Sequence, residues 1–222
     1  YYFVAFGAVF AAIGGGQLFI DIGLALSGRR RGGAAKAAVI SSSLMGTISG
    51  SAVANVVSVG VFTIPLMRRA GYSPVQAAGI EAISSTGGQL MPPVMGVAAF
   101  VLAELLQIDY GRVAWAAVIP ALASYFALFV LVDLTARRSG TGNLPADALA
   151  GRPPIIPRAY LLMPPALLIG LLAAGRSATF AVNAAILSCV VVCYFRRESR
   201  RSLRQWGETV VEITRQAAQV AV

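Results

Sequence analysis

Histidine is absent from the sequence, cysteine occurs twice, and charged residues fill only 12% of the 222 positions. With no histidine and only Cys189 and Cys193, this stretch cannot assemble a zinc site or a Cys/His or Ser/His/Asp nucleophile. The two cysteines stand four apart on one face of an apolar helix. That spacing suits small side chains packing in a bilayer better than a metal pair or a disulfide. A leader is also lacking. The chain opens on Tyr1-Tyr2-Phe3 inside an apolar run and stops at Val222 inside another helical pattern, without a basic start, a short apolar core and a cleavage site. Both ends read as cut.

What is abundant is apolar surface. Hydrophobic residues make up 57% of the chain and mean hydropathy is +0.75, too little charge to keep a domain of this size in solution. Several runs approach the roughly 20 residues that a helix needs to cross a bilayer. The formal charge of +9 does not imply a nucleic-acid partner, because the basic residues gather at the ends of apolar runs. They are Arg29-Arg30-Arg31 with Lys36, Arg68-Arg69, Arg137-Arg138, Arg152 with Arg158, and Arg196-Arg197 through Arg204. Loops on the cytoplasmic side of a membrane carry this pattern.

Placing those clusters in the cytoplasm gives a path. Tyr2 to about Ile13 descends and is interrupted at Gly14-Gly15-Gly16. Gln17 to Ser27, carrying Gln17 and Asp21, either completes the span or lies along the interface as an arm. Ala37 to Met67 has basic clusters on both sides, so a single crossing would put one of them outside. A re-entrant hairpin keeps both inside. Its middle, Gly46-Thr47-Ile48-Ser49-Gly50-Ser51-Ala52-Val53-Ala54-Asn55, is small and polar where a spanning helix would be most apolar. Half of such a segment reaches about 23 Å, near the midplane, where non-helical backbone must be buried in protein or line a cavity.

Pro74 to Leu106 reads as a crossing with an unwound centre, Ser84-Ser85-Thr86-Gly87-Gly88-Gln89-Leu90-Met91-Pro92-Pro93. Paired glycines followed by paired prolines cannot continue an α-helix, and apolar helical sequence resumes at Val94. Glu81, one or two turns from the expected cytoplasmic end, reads equally as a proton carrier or as a solvated, snorkelling carboxylate; Glu104 and Asp109 read as outer-surface charges. Val113 to Leu134 returns. Ser139 to Pro157 is a loop, Ala159 to Ala174 and Ala178 to Phe195 form a pair of crossings, and Ser202 to Val222, with Trp206, Glu208 and Glu212, starts polar and turns apolar.

Each break exposes unpaired N–H groups at one helix start and free carbonyls at the other end. The positive end suits an anion and the carbonyls suit a cation, as in secondary transporters built on discontinuous helices. Ser49, Gly50 and Ser51 would supply hydroxyls and close backbone approach at the hairpin tip, and Asn55 an amide offering either its oxygen or its nitrogen. Thr86, Gly87, Gly88 and the carbonyls before Pro92 would complete an oxygen cage for a hard cation. Substrate contacts are expected at Ser51, Asn55, Gln89 and Pro93. The competing interpretation is that the small residues only permit tight helix packing.

Three strings resemble the large membrane subunit of tripartite ATP-independent periplasmic (TRAP) transporters. They are Gly32-Gly33-Ala34-Ala35-Lys36-Ala37-Ala38-Val39, Gly46 through Val56, and Phe62-Thr63-Ile64-Pro65-Leu66-Met67. Ser85-Thr86-Gly87-Gly88-Gln89-Leu90-Met91-Pro92-Pro93-Val94-Met95-Gly96 is similar to the TAXI branch, which often fuses its small and large membrane subunits. The likeness is close from about Gly15 to Leu106 and looser from Asp109 onward.

The resemblance implies an all-α polytopic membrane protein with an ion-transporter-superfamily, elevator-type fold, of which this stretch is one inverted repeat. It implies an Na⁺ gradient as driving force, with H⁺ as the alternative, and a periplasmic TAXI-type substrate-binding protein delivering small organic anions. It also implies a small membrane subunit fused in the full-length chain, and a bacterial or archaeal cytoplasmic membrane. The expected organisation is a transmembrane segment and arm over 1–36, then a transport-domain half over 37–108, with hairpin 37–67 and broken helix 74–106. A helix over 109–136, a loop over 137–158, two helices over 159–197 and an interfacial helix over 198–222 leading into a second hairpin complete it. The alternatives are a carrier of the same superfamily working without a binding protein, and an intramembrane hydrolase, for which no convincing dyad is present.

Overall fold

The structure, a computed structural model, describes residues 2–140, 144, 154–195, 207, 209–211 and 213–214. Arg152, Arg196, Arg197, Arg204, Trp206, Glu208 and Glu212, with most of the expected loop and terminal helix, lie outside the described residues.

Glycine sets the breaks in the first part of the chain. Helix α1 (Tyr2–Ala12) ends before Gly14, whose φ of 96° is left-handed, and α2 (Gly15–Ser27) leaves at 70°. Helix α3 (Gly33–Ser49) starts after Gly32 (φ 69°) and stops at Gly50 (φ 58°). It therefore begins four residues before the expected Ala37, because the positive φ, which costs glycine nothing, sits at Gly32. The chain then turns back through α4 (Ala52–Asn55), a π turn (Val56–Gly60) and α5 (Val61–Arg69). The returning arm packs along α3, so Arg29–Arg31 and Arg68-Arg69 come to the same end of a helical hairpin.

Helix α6 (Pro74–Gly87) begins with a reciprocal cap between Ser73 and Gln76, which satisfies two end N–H groups. It runs into a 3₁₀ turn (Gly88–Leu90), a non-helical stretch over 91–96, and α7 (Val97–Leu105). Helix resumes at Val97 rather than at Val94. Helix α8 (Tyr110–Ser139), capped by Asp109, extends beyond the expected Val113 to Leu134. A 3₁₀ segment (Ile156–Leu162), α9 (Met163–Ala173) and α10 (Ala178–Phe195) follow. Both cysteines are buried on one face of α10.

Three of the described helical stretches, 52–69, 110–139 and 156–173, are long and apolar enough to cross a membrane, and the bent α1–α2 pair makes a fourth if counted as one span. The chain is a multi-pass helical membrane protein. Its centre is α3, whose inward faces are Ala34, Ala35, Ala37, Ala38, Ser41, Ser42 and Gly46, all fully or nearly fully buried. Side chains this small let neighbouring backbones approach closely. A Cβ on Gly23 of α2 would lie 2.7 Å from Ala37 O.

Among the described residues, two ion pairs stitch this core over long sequence distances. Arg158, expected among the loop charges, donates from Nη1 to Asp21 Oδ2 at 2.6 Å, and Asp21 is buried. Lys36, read as one of a basic surface cluster, is instead buried and bonded to Asp133 of α8, with its ammonium 5.3 Å from the centre of the Phe129 ring. Asp133 also accepts from Arg137 Nε at 2.7 Å. Arg158→Met removes an ionic partner of a buried carboxylate and is expected to destabilise the fold by on the order of 1–3 kcal/mol. Thermal unfolding of the full-length protein in detergent reads this, and an unchanged midpoint would show that the pair holds nothing.

Candidate functional site

The two interrupted segments meet. Gly46 on α3 faces Gly88 so closely that a Cβ on Gly46 would lie 2.4 Å from Gly88 Cα, and one on Gly88 would lie 2.9 Å from Gly46 Cα. Gly87 and Gly88, φ −56° and −58°, carry the change from α-helix to 3₁₀ turn without a reversal of the chain. They permit this crossing, and the break falls at Met91–Gly96. There Pro92-Pro93 is cis, Met95 has φ 50°, and Gly96 N–H donates to Gln89 O at 2.7 Å. Gly50 at the hairpin tip completes the contact, since a Cβ there would lie 2.1 Å from Met95 O.

The expected tip residues take distinct places. Ser49 is buried, its Cα 3.0 Å from where a Cβ on Gly7 of α1 would be, and its hydroxyl donates to Ser51 O at 3.4 Å. Ser51 caps α4, its Oγ accepting from Ala54 N–H at 3.3 Å. Asn55 is fully buried and donates from Nδ2 to Ser42 O at 2.9 Å, while Oδ1 accepts no hydrogen bond from any described residue. Exchanging the amide's two atoms would set oxygen against the Ser42 carbonyl, so the orientation is chemically determined. Of the two roles open to the Asn55 amide, the oxygen is the one left over. A buried acceptor without a donor is costly, and a cation removes that cost.

The broken-helix residues divide. Gly88 adjoins Asn55, a Cβ on it falling 3.0 Å from Nδ2. Thr86 does not share that face: it is exposed and its hydroxyl donates back to Ala82 O at 2.8 Å. Thr86, Gly87 and Gln89 line a separate cavity of about 490 Å³ with Ser124, Tyr125 and Leu128 of α8. Pro92 and Pro93 are half-buried in the unwound stretch. The carbonyls of Pro93 and Val94 share the Tyr110 hydroxyl at 2.6 and 2.7 Å, and Met91 O, the carbonyl before Pro92, accepts from Met95 N–H at 3.4 Å. Asn55 and the Gly46, Gly50 and Gly88 backbones therefore form one cluster, and Thr86 with Gln89 another.

Glu81 is the main correction. It is 0% exposed, not solvated, and bonds Ser42 and Ser85 through Oε1 at 3.1 and 3.2 Å and Thr63 through Oε2 at 2.5 Å. Counting residues to the helix end had left its surroundings open. The signal that was available is the pattern of hydroxyls at Ser42, Thr63 and Ser85 in three different apolar segments. The pairing of Lys36 with Asp133 was missed for want of any local sign.

The described residues form a polytopic helical membrane protein whose two interrupted segments interlock at glycine backbones, and secondary carriers build their sites on discontinuous helices of this kind. A family model for the DctM component of the tripartite ATP-independent periplasmic transporters matches residues 1–222. The chain belongs to that family of transport permeases, which are not enzymes.

It is 33% identical over 148 residues, 67% of this chain and 34% of the relative, to the C4-dicarboxylate TRAP transporter large permease protein DctM of Pseudomonas aeruginosa. It is 27% identical over 176 residues, 79% of this chain and 41% of the relative, to the sialic acid TRAP transporter large permease protein SiaM of Vibrio cholerae. The isethionate TRAP transporter permease protein DctMQ of Oleidesulfovibrio alaskensis matches over the whole chain at 26% identity and 35% of its own length. The chain thus spans about a third of the length of the first two curated relatives it matches, the DctM proteins of P. aeruginosa and V. cholerae.

Proposed function

We propose that this chain is one half of the transport unit of a cation-coupled permease, with Na⁺ bound at Asn55 Oδ1 between the hairpin tip and the broken helix. The observation that carries it is the orphaned, fully buried amide oxygen of Asn55, a residue whose Nδ2 borders the Gly46–Gly88 crossing. Ser51 and the unwound stretch at Pro92-Pro93 form the adjoining substrate side; Thr86 and Gln89, which line the separate cavity against α8, stand apart from it. Hard cations take oxygen ligands of this kind, and broken helices at mid-depth are where secondary carriers place them.

The hairpin is re-entrant, both arms returning to the cytoplasmic side, because its two basic ends lie together. The unit works by an elevator movement in a bacterial cytoplasmic membrane, completed by a second repeat. Substrates are small organic anions, the chemistry shared by the substrates named for the C4-dicarboxylate, sialic acid and isethionate relatives. A periplasmic binding protein delivers them, of TAXI type by the Ser85–Gly96 string, and a small membrane subunit, fused in the full-length chain, supports the permease.

The test is uptake into proteoliposomes by the full-length protein with its binding protein, with and without an Na⁺ gradient. Asn55→Ala is expected to lower Na⁺-driven uptake about tenfold, and Ser51→Ala less, since the cap it loses is worth about 1 kcal/mol. Equal Na⁺ dependence in Asn55→Ala and the parent would remove the ion from this position. Uptake of free substrate without any binding protein would favour the stand-alone carrier.

A further inference from the structure

Glu81 is the one acidic residue between Gly33 and Leu90, and it lies wholly buried where α3, the returning arm and α6 meet. No cation faces it among the described residues. On α3, Lys36 is committed to Asp133. Arg68 and Arg69 are exposed at the far end of α5. On α8, Tyr125 donates its hydroxyl to Ser84 O at 2.7 Å, Asp133 is held by Lys36 and Arg137, and Arg112, Arg137 and Arg138 are exposed. Among the described residues only neutral hydroxyls meet the carboxyl group, and an ionised group buried without a counter-charge is expensive.

The hydroxyl of Thr63 has one hydrogen and two acceptors, Glu81 Oε2 at 2.5 Å and Val59 O at 3.1 Å. When Glu81 is ionised, Ser42, Ser85 and Thr63 all donate to it. When Glu81 carries a proton on Oε2, that O–H donates to Thr63 Oγ, and Thr63 turns its own hydrogen to Val59 O. Ser42 and Ser85 donate to Oε1 in both states. The cluster accommodates the gain or loss of one proton by a single hydroxyl rotation, with every hydrogen accepted. Val59 lies in the π turn, a feature often found at functional sites. Gly60 in the same turn lets Glu81 approach, since a Cβ there would lie 3.0 Å from Glu81 Cγ.

We propose that Glu81 is a proton-binding site of the permease, linked to the ion site through Ser42, whose hydroxyl serves Glu81 and whose carbonyl holds Asn55. The occupant is a proton and not a metal ion, because the carboxylate and hydroxyl oxygens already touch at 2.5 to 3.2 Å. Loading is simple: the carboxylate takes H⁺ from hydronium, leaving water, forms an O–H bond and loses its charge. The linkage rests on the ion reading above; the proton site itself rests on the Glu81 cluster alone.

The experiment uses purified full-length permease without substrate, with infrared difference spectra recorded on stepping the pH in NaCl and again in choline chloride. A carbonyl band from a protonated carboxyl, growing as pH falls and missing in Glu81→Gln, is the expected result. Its midpoint should differ between the two salts. A wild-type protein with no titrating carboxyl band, or a Glu81→Gln variant that retains it, overturns the proposal. Where Glu81→Gln is not monodisperse, Thr63→Val carries the test. It should keep the band and change proton affinity about tenfold, as expected for one hydrogen bond to a charged group, and an unmoved midpoint overturns the proposal. A midpoint identical in the two salts breaks the linkage to a cation at Asn55, whereas failure of the ion reading alone leaves the Glu81 band in place.

Discussion

Gly46→Ala in the full-length permease is expected to abolish transport and to leave little folded protein. Its new methyl would stand 2.4 Å from the Gly88 Cα, where carbon atoms rest at about 3.5–4.0 Å, so α3 and α6 must part by more than about 1 Å. Backbone cannot rotate away as a flexible side chain can. Overpacking of this kind costs about 3 kcal/mol or more when the obstacle is main chain. The separation would also pull Asn55, held to the Ser42 carbonyl of the same helix, off the Gly88 face. Gly79→Ala is the matched control. It lies within α6 with nothing inside 4 Å of its would-be Cβ, and alanine there is expected to stabilise by up to about 1 kcal/mol. Melting curves and uptake of the two variants side by side decide the matter; parity between them would show that the crossing is loose.

Asp133→Leu should be the second severe lesion, and Lys36→Met a mild one. The asymmetry follows from burial. Lys36 is 5% exposed and its ammonium bonds Asp133, so losing Asp133 strands a charge inside the helix bundle. Asp133 sits nearer the edge and keeps Arg137 at 2.7 Å when Lys36 is lost. The double variant Lys36→Met with Asp133→Leu is expected to recover most of the thermal midpoint, because an apolar pair of similar volume replaces the ionic one. Equal damage from the two single changes would contradict this account.

The punctuation of the chain was legible without a structure. Gly50, Pro92 and Pro93, with the basic pairs flanking the hairpin, announced two interruptions, and both are present. Gly87-Gly88 marks where the α-helix gives way to a 3₁₀ turn, but its second role, a close crossing with another helix, has no sign in the local sequence. Only Gly46, forty-two positions away on another helix, explains it. The ion pairs were hidden for a related reason: their members stand 97 and 137 residues apart, and each basic partner lies where a surface charge is equally at home. At Glu81, depth along a helix was the sole guide, and depth does not say what packs around. Asn55 was singled out for its amide, but which of the amide's two ends is available depends on the Ser42 carbonyl, a backbone atom that no side-chain pattern reports.

Helix α8 has one further consequence. Along one side Ala121, Tyr125, Leu128, Val132 and Ala136 are buried, and Tyr110, Tyr125 and Asp133 fasten that side to Pro93, Ser84 and Lys36 at three successive levels. Along the opposite side Trp115, Ile119, Leu122 and Phe126 project as a bulky stripe, each more than half exposed. If the hairpin rises and falls during a transport cycle, α8 must ride with it as part of the same rigid piston. The stripe then behaves as a greased bearing. Apart from the Trp115 indole N–H it presents no hydrogen-bonding group and no charge to be broken and remade at each step, so whatever it slides against, lipid tail or stationary protein, meets a surface with little preferred position.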